Sequence, residues 1–279
     1  MSAPSLLIVI PGYNVAKTIA DVLRRLSPST LAAVSEIVVV DNCSTDTTLE
    51  VVRELQAGHD ALAARLTVIR NQANYGLGGS LKIGLTYALD RSVDYVGVIH
   101  SDKQGDSEVI ARSFIEAIRD GQPDFVMANR FLRGAQLAGY SRPRVIGNHV
   151  FNVLTLLLTG QWISDSGCGI IAARTSLLRR LKYQALQENF LFNPQLNILI
   201  HAAGGVRIQH VPLTWTDPEV PSNLRVVRYL AALTRSLLSY RLNRWNLDRL
   251  DRAALDREVR TRLTHQVWPA PVTGDVPPR

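Results

Sequence analysis

Glu36-Ile37-Val38-Val39-Val40-Asp41-Asn42-Cys43-Ser44-Thr45-Asp46 contains the reading on which the fold turns. Its apolar run is short, β-branched and lacks an alternating polar face, which predicts a strand covered on both sides. A polar loop follows at once, and a helical pattern occupies residues 45–55. The same order recurs outward in both directions. Residues 6–10 predict a strand, followed by Pro11-Gly12-Tyr13-Asn14 and a helix over 15–26. Residues 66–69 predict a strand, followed by Asn71, Asn74-Tyr75-Gly76-Leu77-Gly78-Gly79 and a helix over 79–89. Residues 95–99 predict a strand, then His100-Ser101-Asp102-Lys103-Gln104 and a helix over 108–118; another strand is expected at 125–127. Apolar strands alternating with helices imply an α/β fold with a mostly parallel sheet and helices on both faces. Ligands of such sheets bind at the carboxyl ends of the strands, so chemistry is expected after Ile10, Val40, Ile69 and Ile99.

The chain has 279 residues, enough to bury a substantial core. No apolar run approaches the roughly 20 residues that span a bilayer, and the N-terminus lacks the basic region of a signal peptide. Cys43 and Cys168 fit neither a disulfide framework nor a metal spacing. A soluble or peripheral protein of the cytoplasm is expected. The net charge is +7, and residues 224–262 hold ten Arg against four acids. That concentration points to an anionic partner such as a membrane surface; nucleic acid is not expected, because no recognition module accompanies the charge.

The second half predicts helices at 145–158, 175–181 and 194–203 and a strand within 206–215. Over 225–240, Val226, Val227, Leu230, Leu233, Leu237 and Leu238 share one helical side, with Arg225, Arg228 and Arg235 on the other. Such a helix either lies in a lipid interface or packs its apolar side on the domain. Residues from 264 onward contain four prolines and little periodic pattern.

The strand-end loops gather carboxylates, amides and a flexible glycine segment. Asp41 can accept from a base N–H. Glycines at 76, 78 and 79 admit close backbone approach and open a helix whose N-terminus favours anions. Asp102 and Gln104, with His100, offer ligands for a divalent cation facing a diphosphate. Each has a plainer alternative: a helix cap at Ser44 or Thr45, an ordinary glycine turn, and a satisfied strand-end histidine.

In this order the motifs resemble those of family 2 glycosyltransferases with the GT-A fold, most closely dolichyl- and polyprenyl-phosphate sugar synthases, over about residues 6–230. Pro11, Tyr13 and Asn14 match the opening Pro-x-Tyr-Asn. Asp41, Asn42, Ser44 and Asp46 match Asp-Asp/Asn-x-Ser-x-Asp, whose first Asp contacts the base. Asn74, Gly76 and Gly78 match Asn-x-Gly-x-Gly, and Ser101 falls within the donor set. The usual Asp-x-Asp-x-Gln is His100-x-Asp102-x-Gln104 here, so the resemblance implies Asp102 and Gln104 as ligands of Mg²⁺ or Mn²⁺ and leaves His100 open. Val15 replaces a frequent Glu. Arg130, Arg144 and Asn148 match positions that hold phosphates of donor or acceptor. Asp165 and Gly167 match part of Asp-x-x-Ser-Gly, while Val211-Pro212-Leu213-Thr214-Trp215 and Ser222-Asn223-Leu224-Arg225 match the closing segment. Asp217-Pro218 replaces the family's Asp-Arg.

The resemblance implies inverting transfer from a GDP- or UDP-sugar to a polyprenyl phosphate at the inner face of a membrane, with Asp102, Arg130, Arg144 and Asp165 as the catalytic set. No acidic dipeptide is present in the second half, which suits an acceptor already ionised. A transferase acting on a soluble sugar hydroxyl, with Asp165 as base, and a non-catalytic nucleotide- or membrane-binding module stay open, as does a homo-oligomer. The expected organisation is a GT-A domain over 1–222, a basic amphipathic helical region over 223–262 and a mobile tail over 263–279.

Overall fold

The computed structural model describes residues 3–58, 60–216, 226–263 and 266–269. Strand β1 (Leu6–Gly12) is buried along its whole length. It is followed by α1 (Ile19–Arg24) and α2 (Pro28–Ala33), the latter opened by Ser27 Oγ accepting from Thr30 N. Strand β2 (Glu36–Asp41), α3 (Thr48–Gln56), β3 (Leu66–Arg70), α4 (Gly76–Asp90), β4 (Tyr95–Val98), α5 (Ser107–Gly121) and β5 (Phe125–Asn129) complete the predicted alternation. Asp106 caps α5 by accepting from the amides of Glu108 and Val109.

The second half contains β6 (Leu137–Ala138), α6 (Arg142–Thr159), β7 (Ile171–Arg174), α7 (Thr175–Leu178), α8 (Phe192–His201), β8 (Ile208–Pro212) and β9 (Trp215–Thr216). It ends with α9 (Val226–Asn243), α10 (Arg252–Leu263) and β10 (Val267–Trp268). The large sheet runs β10-β3-β2-β1-β4-β7-β5-β8. Pairs β3–β2, β2–β1, β1–β4 and β5–β8 are parallel, whereas β7 is antiparallel to both neighbours and β10 to β3. A small parallel sheet pairs β6 with β9.

Side chains alternate across a strand, so the unbroken apolar runs feed two cores. Leu7, Val9, Val38 and Val40 face α4, α8 and α9. Leu6, Ile8, Ile10, Ile37 and Val39 face α1, α3 and α5. Helix α4 lies so close to the sheet that a Cβ on Gly84 would run into Val9.

Three readings left by the sequence are sharpened. The apolar side of α9 is divided: Leu233, Leu237 and Tyr240 are buried in the core, whereas Leu230 and Leu238 stay 42 and 45% exposed, as do Arg228, Arg235 and Arg241. The domain therefore uses the centre of that stripe for its own packing. Residues of the expected tail also enter the sheet, where Val267 pairs with Ile69 and Trp268 with Val68. Neither Ser44 nor Thr45 caps α3, which starts after Thr47. The residues around Asp217-Pro218 and Ser222–Arg225 lie outside the described residues. No helix among the described residues is long and apolar enough to cross a membrane.

Candidate active site

The strand-end loops are joined to one another. Asn42 N donates to Gly12 O at 2.8 Å, and Asn71 N to Asp41 O at 2.8 Å. Ser101 Oγ donates to Pro11 O at 2.7 Å. Asn14, at φ 54°, turns the chain so that its Oδ1 accepts from Thr45 N at 2.9 Å. An Asn tolerates this left-handed conformation better than most residues. Its own amide donates to Ser44 Oγ at 3.0 Å, so Ser44 ties the first loop to the second. The amides of Val15 and Ala16 donate to Thr48 Oγ1 and Asp46 Oδ2. Tyr13 is left 45% exposed at the rim.

Asp41 is fully buried, accepts from Ser44 N and lies 3.8 Å from Arg70 Nε. Burial pushes its carboxyl above the ordinary range, against the hydrogen bonds from Ser44 and the charge of Arg70. Asn42 Nδ2 donates to Asn74 Oδ1 at 2.8 Å, and its Oδ1 accepts from Asn71 Nδ2 and Tyr75 N, both at 2.9 Å. Asn74 Oδ1 also accepts from Gly76 N.

The glycines of this loop have a use that their spacing does not reveal. Gly78 N and Gly79 N donate to Glu188 O at 2.7 and 3.2 Å. A Cβ at Gly76 would strike Glu188 O, and one at Gly78 would strike Gln187 O. The small residues thus admit the chain's own 187–189 segment, and these two amides at the start of α4 are satisfied internally, not offered to an anion.

After β4, Ser101 is buried and Asp102 and Gln104 are half-buried. Lys103, at φ 62°, turns the loop, and Gln104 N donates to Asp102 Oδ1 at 3.1 Å. His100 packs with Asn193 against Gly169, where any Cβ would displace both. Burial pushes the His100 pKa down, against the pull of Asp102, and the Arg130 charge lowers it further. Its imidazole is held neutral, the form that ligates metals.

Arg130 follows β5 and is 9% exposed; Asp165 is fully buried. Their contact is a fork: Nε to Oδ2 at 2.9 Å and Nη2 to Oδ1 at 2.6 Å, with Arg130 N adding a third bond to Oδ2. Burial opposes the guanidinium charge, but Asp165 outweighs it and raises the Arg130 pKa. Asp165, which the sequence left open as a base, is thus engaged by a buried guanidinium. Arg130 Nη1 donates to Tyr140 Oη at 3.0 Å, and Nη2 meets Asn148 Oδ1 at 3.5 Å. Asn148 Nδ2 donates to Tyr140 Oη and to Arg144 O. Arg144 is exposed, its guanidinium carbon 5.9 Å from the Tyr140 ring.

Several residues outside the motifs hold this arrangement. Asn152 binds both sides of the 164–166 turn, with Nδ2 to Ser164 O and Oδ1 from Ser166 N. Asn197 Nδ2 reaches Ser166 O and Cys168 O. Trp215 lies 5.4 Å below Arg130, while Thr216 N donates to Gln104 O at 2.9 Å. Strand β9 thereby brings the Asp102–Gln104 loop to the Arg130 side. The buried Asn residues lacked motif spacing; their sequence signal was only that polar residues sit within apolar helices.

The model of the family described as glycosyl transferase family 2 matches residues 7–182. The chain belongs to glycosyl transferase family 2. This transferase is 25% identical over 191 residues to the UDP-N-acetylglucosamine–dolichyl-phosphate N-acetylglucosaminyltransferase of Methanococcus voltae, covering 66% of this chain and 74% of that one. It is also 25% identical to the undecaprenyl-phosphate mannosyltransferase of Micrococcus luteus, over 77% of this chain and 84% of the other. The crystal structure of glucosyl-3-phosphoglycerate synthase from Mycobacterium tuberculosis with Mn²⁺, uridine-diphosphate and glucosyl-3-phosphoglycerate superposes with a TM-score of 0.57 at 20% identity, over 88% of the transferase and 81% of that chain. The shared fold is GT-A.

Proposed function

We propose that the transferase moves a sugar from a nucleoside-diphosphate donor to a polyprenyl phosphate, with inversion. The observation that carries this reading is the two-sidedness of α6. One side brings Arg144 and Asn148 towards Arg130 and Tyr140. The opposite side leaves Ile146, Val150, Val153 and Leu157 exposed at 63, 53, 46 and 69%. Spacings of three and four residues place these four on one face. A phosphate on a long apolar chain has use for both sides of such a helix; a small soluble acceptor has use for only one. The relatives that act on dolichyl and undecaprenyl phosphates support the same acceptor class. The helix carries no acid, so it presents no negative charge to an anionic membrane. Leu233 and Leu237 at the centre of the α9 stripe are buried, so the membrane contact is assigned to α6 and not to α9.

In this mechanism the strand-end loops hold the donor, with Tyr13, Asn14, Asp41, Asn42, Ser44, Asp46 and Asn74 around the nucleoside. Asp102 and Gln104 would hold a divalent cation. Only one Asp102 oxygen is engaged among the described residues. Among those residues no three His, Cys, Asp or Glu side chains converge as a cage. That oxygen donor set fits Mg²⁺ or Mn²⁺, and such an ion would supply positive charge to the departing diphosphate. Arg144 orients the acceptor phosphate, and Arg130, fixed by Asp165, sets the field and the geometry around it. An acceptor oxygen bonds to the anomeric carbon as the bond from that carbon to the donor diphosphate breaks. The electron pair leaves with the nucleoside diphosphate. The phosphate is already ionised, so no base is required, and the engagement of Asp165 by Arg130 agrees with that.

The test is transfer of radiolabelled sugar from UDP- and GDP-sugars to polyprenyl phosphate, with Mn²⁺ or Mg²⁺ and with EDTA. An organic-extractable product that vanishes with EDTA and in Asp102→Ala is expected. Label transferred only to soluble phosphorylated acceptors overturns the lipid assignment.

A further inference from the structure

The C-terminal arm, α10 and β10, lies beyond the part of the chain that the family model matches, yet it touches the expected donor loops from two sides. On one side, Glu188 lends its carbonyl to the start of α4, as described above. Its carboxylate is gripped by Arg262 Nη1 of α10 and lies 3.6 Å from Lys82 Nζ. Lys82 is 5% exposed, and burial pushes its pKa down against the pull of Glu188. Arg262 also donates to Glu258 Oε1 at 2.8 Å and stacks 4.7 Å over the Tyr75 ring. Tyr75 is the residue between Asn74 and Gly76, and its amide donates to Asn42. On the other side, Gln266 O accepts from Arg70 N at 3.0 Å, and Arg70 stands beside Asp41. Gln56 Nε2 fastens the end of the arm through Trp268 O at 2.7 Å.

We infer that Arg262 is a positioning residue for the nucleotide part of the donor: it clamps Glu188 and Tyr75 and so sets the 74–78 loop before the donor arrives. This rests on the transferase reading above. The loop has two glycines whose backbone freedom is large, and ordering it on binding costs affinity. The arm orders it beforehand. Arg262 matters through its fork, because one guanidinium spans two carboxylates and covers a ring. Lys82, 3.6 Å from the same carboxylate, carries a compact ammonium without a planar fork and is no substitute for it. The other ion pairs of α10, such as Arg260 with Asp256 and Asp90, fasten the helix to the domain without touching the donor loops.

The test is calorimetric titration of UDP and GDP, each with Mn²⁺, into the full chain and its variants. Whichever diphosphate binds the wild type is expected to bind Arg262→Ala about tenfold more weakly, equivalent to roughly 1.4 kcal/mol. Arg262→Lys should recover part of the loss, and Arg262→Gln should match Arg262→Ala. In turnover, donor KM should rise while kcat and acceptor KM hold. Arg257→Ala removes the same charge from the exposed side of α10 and should change nothing. Unaltered diphosphate affinity in both Arg262→Ala and Arg262→Gln overturns the inference, whatever happens to Tm, because a bracing role alone moves Tm only. A wild type that binds neither diphosphate overturns the transferase reading and this assignment together. A wild type that binds one, with unaltered variants, overturns this assignment alone.

Discussion

Asp165 and Arg130 show what a single residue owes to its partner. Both are withdrawn from water, and their fork satisfies Arg130 on three atoms. Breaking a buried pair leaves one charge uncompensated, so Asp165→Asn should lower stability by about 3–5 kcal/mol, read as a fall in Tm. A variant with wild-type Tm would mean that water reaches the guanidinium. The two cysteines separate by environment. Burial pushes the Cys168 thiol up to about 12, so it holds almost no thiolate at pH 8. Cys43 is half-buried at a loop. Iodoacetamide at pH 8 should therefore modify Cys43 and spare Cys168, as peptide mass spectrometry would report; labelling of Cys168 in native protein contradicts the burial. At this scale the residues of the loops after β1, β2, β3 and β4 were legible because each loop follows an apolar strand. The partner of Asp165 was not, since 35 residues separate it from Arg130.

Elements were legible wherever the period was long. The first four strands and α4, α5 and α6 follow from apolar runs and helical spacing. Strand β7 did not, because Ile171-Ala172-Ala173-Arg174 is short and rich in Ala, a residue without strand preference; its place between β4 and β5 supplies the burial that makes it a strand. Helix α2 was also missed, although Ser27-Pro28 is a sound opening for a helix. Packing decides what a small residue means. Gly84→Val should push α4 from β1 and destabilise by about 1–3 kcal/mol, measured by denaturant unfolding; an unchanged midpoint would show that α4 can shift. Glycines 76 and 78 looked suited to a ligand's approach and instead serve the 187–189 segment.

At the scale of the molecule, the sheet collects loops from β1, β2, β3 and β4 at one end, and β9 carries the Asp102–Gln104 loop to Arg130. Helix α6 adds an outward apolar face beside that end. Ile146→Glu combined with Val153→Glu should abolish flotation with vesicles containing anionic lipid while UDP or GDP binding is kept. Retained flotation places the membrane contact elsewhere. A wild type that ignores vesicles but elutes as a dimer, with the double variant monomeric, assigns the face to a second copy. The sequence alone determined the α/β alternation, the strand-end placement of the motifs and the basic C-terminal region, because periodicity and strand-following loops are local properties. Only the tertiary structure decided which apolar helix face stays in water, which charge answers Asp165 and where the C-terminal arm returns to the sheet. Those depend on contacts between segments far apart in the chain, and amphipathic pattern names a face without naming what covers it.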